Sequence, residues 1–382
     1  MFNMKQNYFF SIFLLLLLFT QSCSDKTSQN YLLDEAAIII NIDSVKSDSL
    51  KIRNVQYVPL ETSTEFLIGY TNKVLIRNNK IYLADFNDAM TLFVYDINGK
   101  SLFKIAQRGQ GPDEYISFSD FDINTNGEIY IYDSSGKKIL KFNSEGQHLQ
   151  NIGVDHYFDS FCVINDKMYW SNLRDRGNTY ALLSVYDVKT NKVDILIKND
   201  AQIRTSGMLS NNSYDFYYSP DSIIYYTPLY SPIIYSIDND GIHPAIAIKN
   251  LNIPSIEVAN GWLLEKNIEL RIKNIEESGY FRGNAHIYET DSYITFSCVR
   301  YYLEGFLLYN KSSKSTFYIT FDQHQISLGI GRVKGSAGKD FFGIIEFDSD
   351  YKRHKRILET REELRNWKED DNPVIVFFNF DM

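Results

Sequence analysis

The chain has 382 residues, a net charge of −9, and a heavy load of Tyr (28) and Phe (26) beside only 8 Pro. A negative balance without a basic stripe argues against a nucleic-acid surface, and 3 cysteines are too few for a disulfide framework. The aromatic load suits strands, where large flat side chains pack on a pleated surface.

In chain order, the first element is an address. Lys5 supplies a positive start, Tyr8 to Phe19 is an almost unbroken apolar run, and the chain turns polar at Ser24-Asp25-Lys26. About a dozen apolar residues are short for a spanning helix and fit an export signal. Thr20-Gln21-Ser22-Cys23 resembles a bacterial lipobox in the loosened form of the Bacteroidetes, with Thr20 where Leu is usual. Residues 1–22 are therefore expected to be a lipoprotein signal peptide, Cys23 the lipidated residue, and 23–35 a lipidated tether. Two or three acyl chains hold a protein at a membrane where one does not. The remainder, 36–382, is expected to form one domain.

That domain is built on a repeat. Phe93-Val-Tyr95-Asp96-Ile-Asn98-Gly99 returns as Leu140 to Gly146, Ser184 to Thr190, Tyr235 to Gly241, Leu307 to Ser313 and Ile345 to Tyr351. Each copy has a large apolar residue third and Asp or Asn fourth. The pattern predicts a strand ending in a tight turn, with the short polar side chain capping the turn. Ile81-Tyr82, Ile129-Tyr130, Met168-Tyr169, Ile224-Tyr225 and Tyr293-Ile294 each mark a partner strand upstream, and Phe341-Phe342 does so for the sixth copy. From Asp96 to Asp348 the spacing averages about 50 residues, the length of a four-stranded propeller blade. The expected fold is all-β, a six-bladed β-propeller; five blades and an irregular cap is the alternative. Val55 to Leu60 and Val374 to Phe380 are the expected partners in closing the ring.

The interval from Asp238 to Asn310 is longest, and Ser255 to Ser278 carries apolar residues near helical spacing. It predicts an inserted helix before blade 5. A short C-terminal helix is expected over Glu359 to Glu369, downstream of the mixed-sign run that begins at Lys352. Cys162 and Cys298 lie in apolar strand-like surroundings and read as buried thiols, with a bridge between them left open.

Four stretches resemble the six-bladed β-propeller lipoproteins of the Bacteroidetes, a family related in fold to NHL-repeat and TolB-like propellers. They are Tyr57 to Thr62, Arg108 to Tyr115, Asp120 to Ile123, and Glu369 to Val374. The resemblance spans residues 55–380 and implies fold and an outer-membrane location, periplasmic or surface-exposed. Asp113 stands where the family has glycine. A propeller hosts many functions, so activity does not follow from the resemblance.

Candidate site residues are Arg108, Gly109, Gly111, Glu114 and Tyr115. Closely spaced glycines bring backbone N–H groups near an anion, and Arg108 adds charge; the structural alternative is a blade connection locked by Glu114 and Tyr115. No phosphate-loop pattern follows, no nucleophile elbow appears, and the six histidines lack metal-ligand spacing. No cofactor or metal is expected. The leading reading is a lipid-anchored, non-enzymatic module that binds a glycan, peptide or envelope protein at the mouth of the central channel. The rivals are a lyase or hydrolase, using His156, Arg174, Asp175, Arg204 or His286 at the axis, and a structural subunit of an envelope complex, which predicts an exposed apolar patch on the inserted helix.

Overall fold

The computed structural model describes residues 33–47, 51–175, 178–200, 215–219, 223–262, 264–281, 283–299, 305–320, 328–330, 332–346, 360–368 and 370–381. Their strands form six sheets, the blades of a propeller. From the axis outward, blade 1 runs Lys73–Arg77, Lys80–Asp85, Thr91–Asp96, Ser101–Ile105. Blade 2 runs Asp120–Ile123, Ile129–Asp133, Lys138–Phe142, His148–Gly153, and blade 3 Phe161–Ile164, Lys167–Asp175, Asn178–Asp187, Lys192–Lys198. Blade 4 follows with Phe216–Tyr218, Ile224–Tyr226, Ile233–Asp238 and Gly241–Lys249, and blade 5 with Gly283–Glu289, Tyr293–Val299, Gly305–Asn310 and Ser315–Thr320.

Middle strands are buried on both faces and so read as continuous apolar runs, whereas outer strands such as Ser101–Ile105 alternate. The core lies between blades. Tyr82, Leu92 and Val94 of blade 1 pack with Phe121, Ile129 and Ile131 of blade 2, and equivalent layers follow around the ring.

The repeated heptapeptide is the end of the third strand in blades 1 to 5, and its fourth residue works as turn chemistry requires. Asp96 accepts from the amides of Asn98 and Lys100, Asn143 from Glu145 and Gln147, and Asp187 from Lys189 and Thr190. Asp238 and Asn310 do the same for Asp240, Gly241, Ser312 and Ser313. These are side-chain replacements for a backbone turn bond.

Blade 6 departs from the expected pattern. Phe341 and Phe342 do lie on its second strand, Asp340–Ile345, but the sixth heptapeptide only begins there, and residues 347–350 lie outside the described chain. The third strand is instead the C-terminal Val374–Asp381, paired on its outer side with Lys51–Pro59. Val374 faces Pro59 and Val376 faces Tyr57, so the ring closes between the two expected segments.

Upstream of Lys51–Pro59 the chain runs along the outer rim. Strand β1 (Ile38–Asn41) adds in parallel to blade 4, and β2 (Lys46–Ser47) adds in parallel to blade 5. Two outer edges, those of blades 4 and 5, are thus covered by the N-terminal segment, which protects them from pairing with other chains. The insertion before blade 5 is two helices, α1 (Ile256–Trp262) and α2 (Ile268–Glu277). Asn267 divides them because its side chain accepts from the amide of Leu270, capping a new helix start. Among the described residues, the region of the expected C-terminal helix holds a 3-10 turn, Glu362–Leu364, which has no side-chain cap and buries Leu364. Cys162 is a buried free thiol; the side chain of Cys298, and all of residues 1–32, lie outside the described residues.

Candidate functional site

The six innermost strands face the axis, and their side chains divide it into a stapled side and an open side. On blade 2 the alternation of Asp120-Phe-Asp122-Ile places both carboxylates on one face of the strand. Asp120 accepts from Lys73 of blade 1 at 2.8 Å and from the amide of Phe161 of blade 3 at 3.1 Å. Asp122 accepts from the amide of Val163 at 2.7 Å and from the hydroxyl of Tyr218, on blade 4, at 2.6 Å. Four blades are bound through two carboxylates. Burial raises both carboxyl groups above the usual range, against the pull of the neighbouring Lys73 and Arg77. The guanidinium of Arg77 lies 4.2 Å above the ring of Tyr218, a cation–π contact.

On the other side, blades 1, 4, 5 and 6 line a cavity of about 310 Å³. Arg77, Arg332, Lys334, His286, Tyr217 and Tyr288 contribute its polar and aromatic wall. Arg332, Lys334 and Ser336 are alternate residues entering and forming the first strand of blade 6, so one face carries all three. Desolvation lowers the ammonium of Lys334; Glu346 opposes this shift and Arg332 adds to it. The Nε of Arg77 is buried and has no hydrogen-bond partner.

His286 reaches the cavity through a bulge. The pairing of Gly283–Glu289 with Tyr293–Val299 shifts between Ala285 and Tyr288, and His286 has φ 54°. Bulges re-aim side chains, and a non-glycine residue in this region costs about 1–3 kcal/mol, strain found most often at functional sites. Arg332 donates to Nε2 of His286 at 2.9 Å. A guanidinium only donates, so that nitrogen carries no proton and the ring is neutral. Desolvation, with Arg332 and Lys334 beside it, pushes the imidazole down to about 3. Tyr217 and Tyr288 stand edge-on to one another at 5.8 Å, with Tyr217 also edge-on to His286 at 6.4 Å.

The candidate residues of the blade 1–2 connection are placed away from this cavity's lining. Gly109 donates to the carbonyl of Tyr115, and Gly111 donates to the carboxylate of Glu114 at 2.8 Å. Gly109 has φ 158°, and a Cβ there would run into that carboxylate. Tyr115 is fully buried, its hydroxyl donating to the carbonyl of Met90 at 2.5 Å. Arg108 alone of the five is exposed. Of the set expected at the axis in the enzymatic reading, only His286 lines the cavity. Arg174 pairs with Asp159, His156 lies by Tyr180 and Trp170, Asp175 is exposed, and Arg204 lies outside the described residues. Among the described residues no cluster of His, Cys, Asp or Glu has metal-ligand geometry. Arg332 and Lys334 stand outside the residues expected from the sequence, although Arg332-Val-Lys334-Gly-Ser336 carries the alternation that marks them.

A ring of six blades with a polar axial cavity defines the class: a β-propeller whose first strands build a pocket. The chain belongs to the DUF4934 family, a domain of unknown function, which matches residues 35–379. It is similar in structure to a Bacteroides fragilis protein classed as exported, with TM-score 0.73 and 18% identity over 90% of this chain and 99% of that one. A Bacteroides vulgatus member of the DUF4221 family gives TM-score 0.52 and 12% identity, covering 87% and 98%. At these identities the likeness shows the fold. No curated protein matches the chain, and no helix among the described residues is long and apolar enough to cross a membrane.

Proposed function

We propose that the protein is an exported, lipid-anchored envelope module that binds a small anionic ligand, an acidic sugar or peptide fragment, in its axial cavity. The observation that carries this reading is the charge left over at the axis. Asp120 and Asp122 are engaged by Lys73, Tyr218 and backbone amides, with Arg77 also acting on Asp122, which leaves Arg332 and Lys334 without an axial carboxylate among the described residues. Arg77, Arg332 and Lys334 line the cavity, and among the described residues none of the three forms a salt bridge with a carboxylate. A cleft lined by one sign of charge between low-dielectric walls concentrates ligands of the opposite sign. The neutral His286 and the rings of Tyr217 and Tyr288 add a hydrogen-bonding and stacking surface. Anchoring rests on the lipobox at Cys23, and export is supported by that signal together with the likeness to the Bacteroides fragilis protein classed as exported.

Calorimetric titration of the chain from Ser24 onward with uronic-acid oligosaccharides, Asp- and Glu-rich peptides and their neutral counterparts tests the site. Acidic ligands should bind, weaken with added salt, and lose about tenfold or more in affinity in K334A or R332A, since each removes a charge-assisted contact. Equal binding of acidic and neutral ligands, or binding unmoved by both substitutions, sinks the reading. Arg108, the exposed cation of the blade 1–2 loop, lies outside the cavity lining and is proposed as a separate anion contact, which R108A in the same titration tests.

A further inference from the structure

We infer that the helical insertion rests on the lipid surface as a second attachment point, its uncovered apolar stripe meeting the membrane beside the N-terminal anchor. Ile268, Ile272 and Ile275 of α2 fall on one helical face. Only Ile275 is covered, at 3% exposure, while Ile268 and Ile272 are 51% and 37% exposed. Leu264, in the turn before α2, is 71% exposed, and Val258 of α1 is 36% exposed. The stripe is thus covered at its C-terminal residue and open at its N-terminal ones. An apolar face that leaves the protein surface needs another apolar partner or remains a liability in water.

The course of the chain names the partner. The described residues begin at Leu33, and Asp34 pairs with Lys249, the last residue of blade 4's outer strand, at 2.7 Å. Asn250 donates to the side chains of Asn41 and Asp43 at 3.0 and 2.7 Å. The N-terminal segment is therefore tied to the point from which the chain leaves for α1, at Ile256. Cys23 stands ten residues before Leu33, a reach of at most about 35 Å even when fully extended. The acyl chains proposed for Cys23 are thus held within that reach of Leu33, at the edge of blade 4 from which the insertion departs. Lys266, Arg271 and Lys273 lie among Glu265, Glu269 and Glu277, and Lys273 pairs with Glu277, so the polar face carries both signs and the attraction to lipid comes from the apolar residues. Amphipathic helices lie in this way in the plane of the interface, with no span.

This inference rests on the anchored reading for its geometry, and the test separates the two. All six sheets are built from residues 38 onward, so the chain from Ser24 keeps every strand. Acylated protein carrying a spin label at L264C is reconstituted in phosphatidylethanolamine–phosphatidylglycerol vesicles, with a label at I195C on blade 3 as the reference for water. The expected result is a Leu264 label shielded from a water-soluble relaxant and reached by oxygen, with the Ile195 label open to both. The triple variant L264S/I268S/I272S, matched to the parent in melting temperature, should float with vesicles about tenfold less when lipid-free. A Leu264 label as water-accessible as the Ile195 label overturns the inference. So does shielding that appears only when envelope proteins are added, which makes the occupant a protein. Failure of the anchor alone shows differently, as a Cys23 without acyl mass, and leaves the flotation comparison to decide the stripe.

Discussion

Asn372 connects stretches 310 residues apart. Its amide donates to Thr62, its side-chain nitrogen to the carbonyls of Glu61 and Phe66, and its side-chain oxygen accepts from Ile68. Two of the four stretches that mark the family, Tyr57 to Thr62 and Glu369 to Val374, therefore meet at one buried side chain. N372A would leave several buried groups unpaired and should cost about 3 kcal/mol or more; N372D should also destabilise, because a carboxylate cannot donate. Urea unfolding of both variants reads the loss, and an N372A within about 0.5 kcal/mol of the parent would contradict this account. His286 gives a prediction in pH. Folding depresses its imidazole to about 3, so the unfolded chain takes up the proton first as pH falls below about 6.5. Stability from this residue is complete above that pH and lost on acidification toward 3, by up to about 1.4 kcal/mol per pH unit and less where cavity water screens it. Asp215, raised to about 6 by desolvation, acts in the opposite sense and stabilises as pH falls from about 6 to 4. H286Q should remove the first slope and leave the second; an unchanged profile of stability against pH refutes the assignment.

At the scale of elements, the turns were readable because their chemistry is local. A strand that ends in Asp or Asn with turn formers behind it announces itself within seven residues, as at Asp96 and Asn143. The sixth copy misled because blade 6 takes its third strand from the far end of the chain, a pairing no local pattern records. The inserted helix divides for a similarly small reason, one capping side chain at Asn267. The N-terminal strands differ in what they support. β1 and β2 only cover rims, whereas Lys51–Pro59 supplies the outer strand of blade 6. A chain starting at residue 51 should still unfold in one cooperative transition, at a lower melting temperature. A chain starting at residue 61 should lose that transition, because Tyr57 and Val58 leave the core beneath blade 6. Calorimetry of the two truncations distinguishes rim from ring, and equal melting temperatures would show the closing strand to be dispensable.

For the whole molecule, fold and site were legible to different degrees. Composition and the repeat length were enough for a ring of blades, and the apolar run near each chain end named the segments that close it. The pocket was not, because its wall takes Arg77 from blade 1, Tyr217 from blade 4, His286 from blade 5 and Lys334 from blade 6. A ring converts such distances along the chain into adjacency at its axis, and only the completed ring shows which residues meet. The blade 1–2 loop drew notice for its glycines, yet its polar groups are spent largely on one another.

The rim strand β1 also decides how the propeller carries load. A pull applied upstream of Leu33 reaches the body through β1, whose parallel pairing with Gly241–Lys249 runs along the strand. Bonds in that arrangement share a tug in shear, several breaking together, where a hairpin pulled from its end opens one bond at a time. The closing pair of Lys51–Pro59 and Val374–Asp381 lies downstream of this ladder. If the proposed anchor at Cys23 holds the chain, drag meets the edge of blade 4 before it meets the seam that keeps the ring shut.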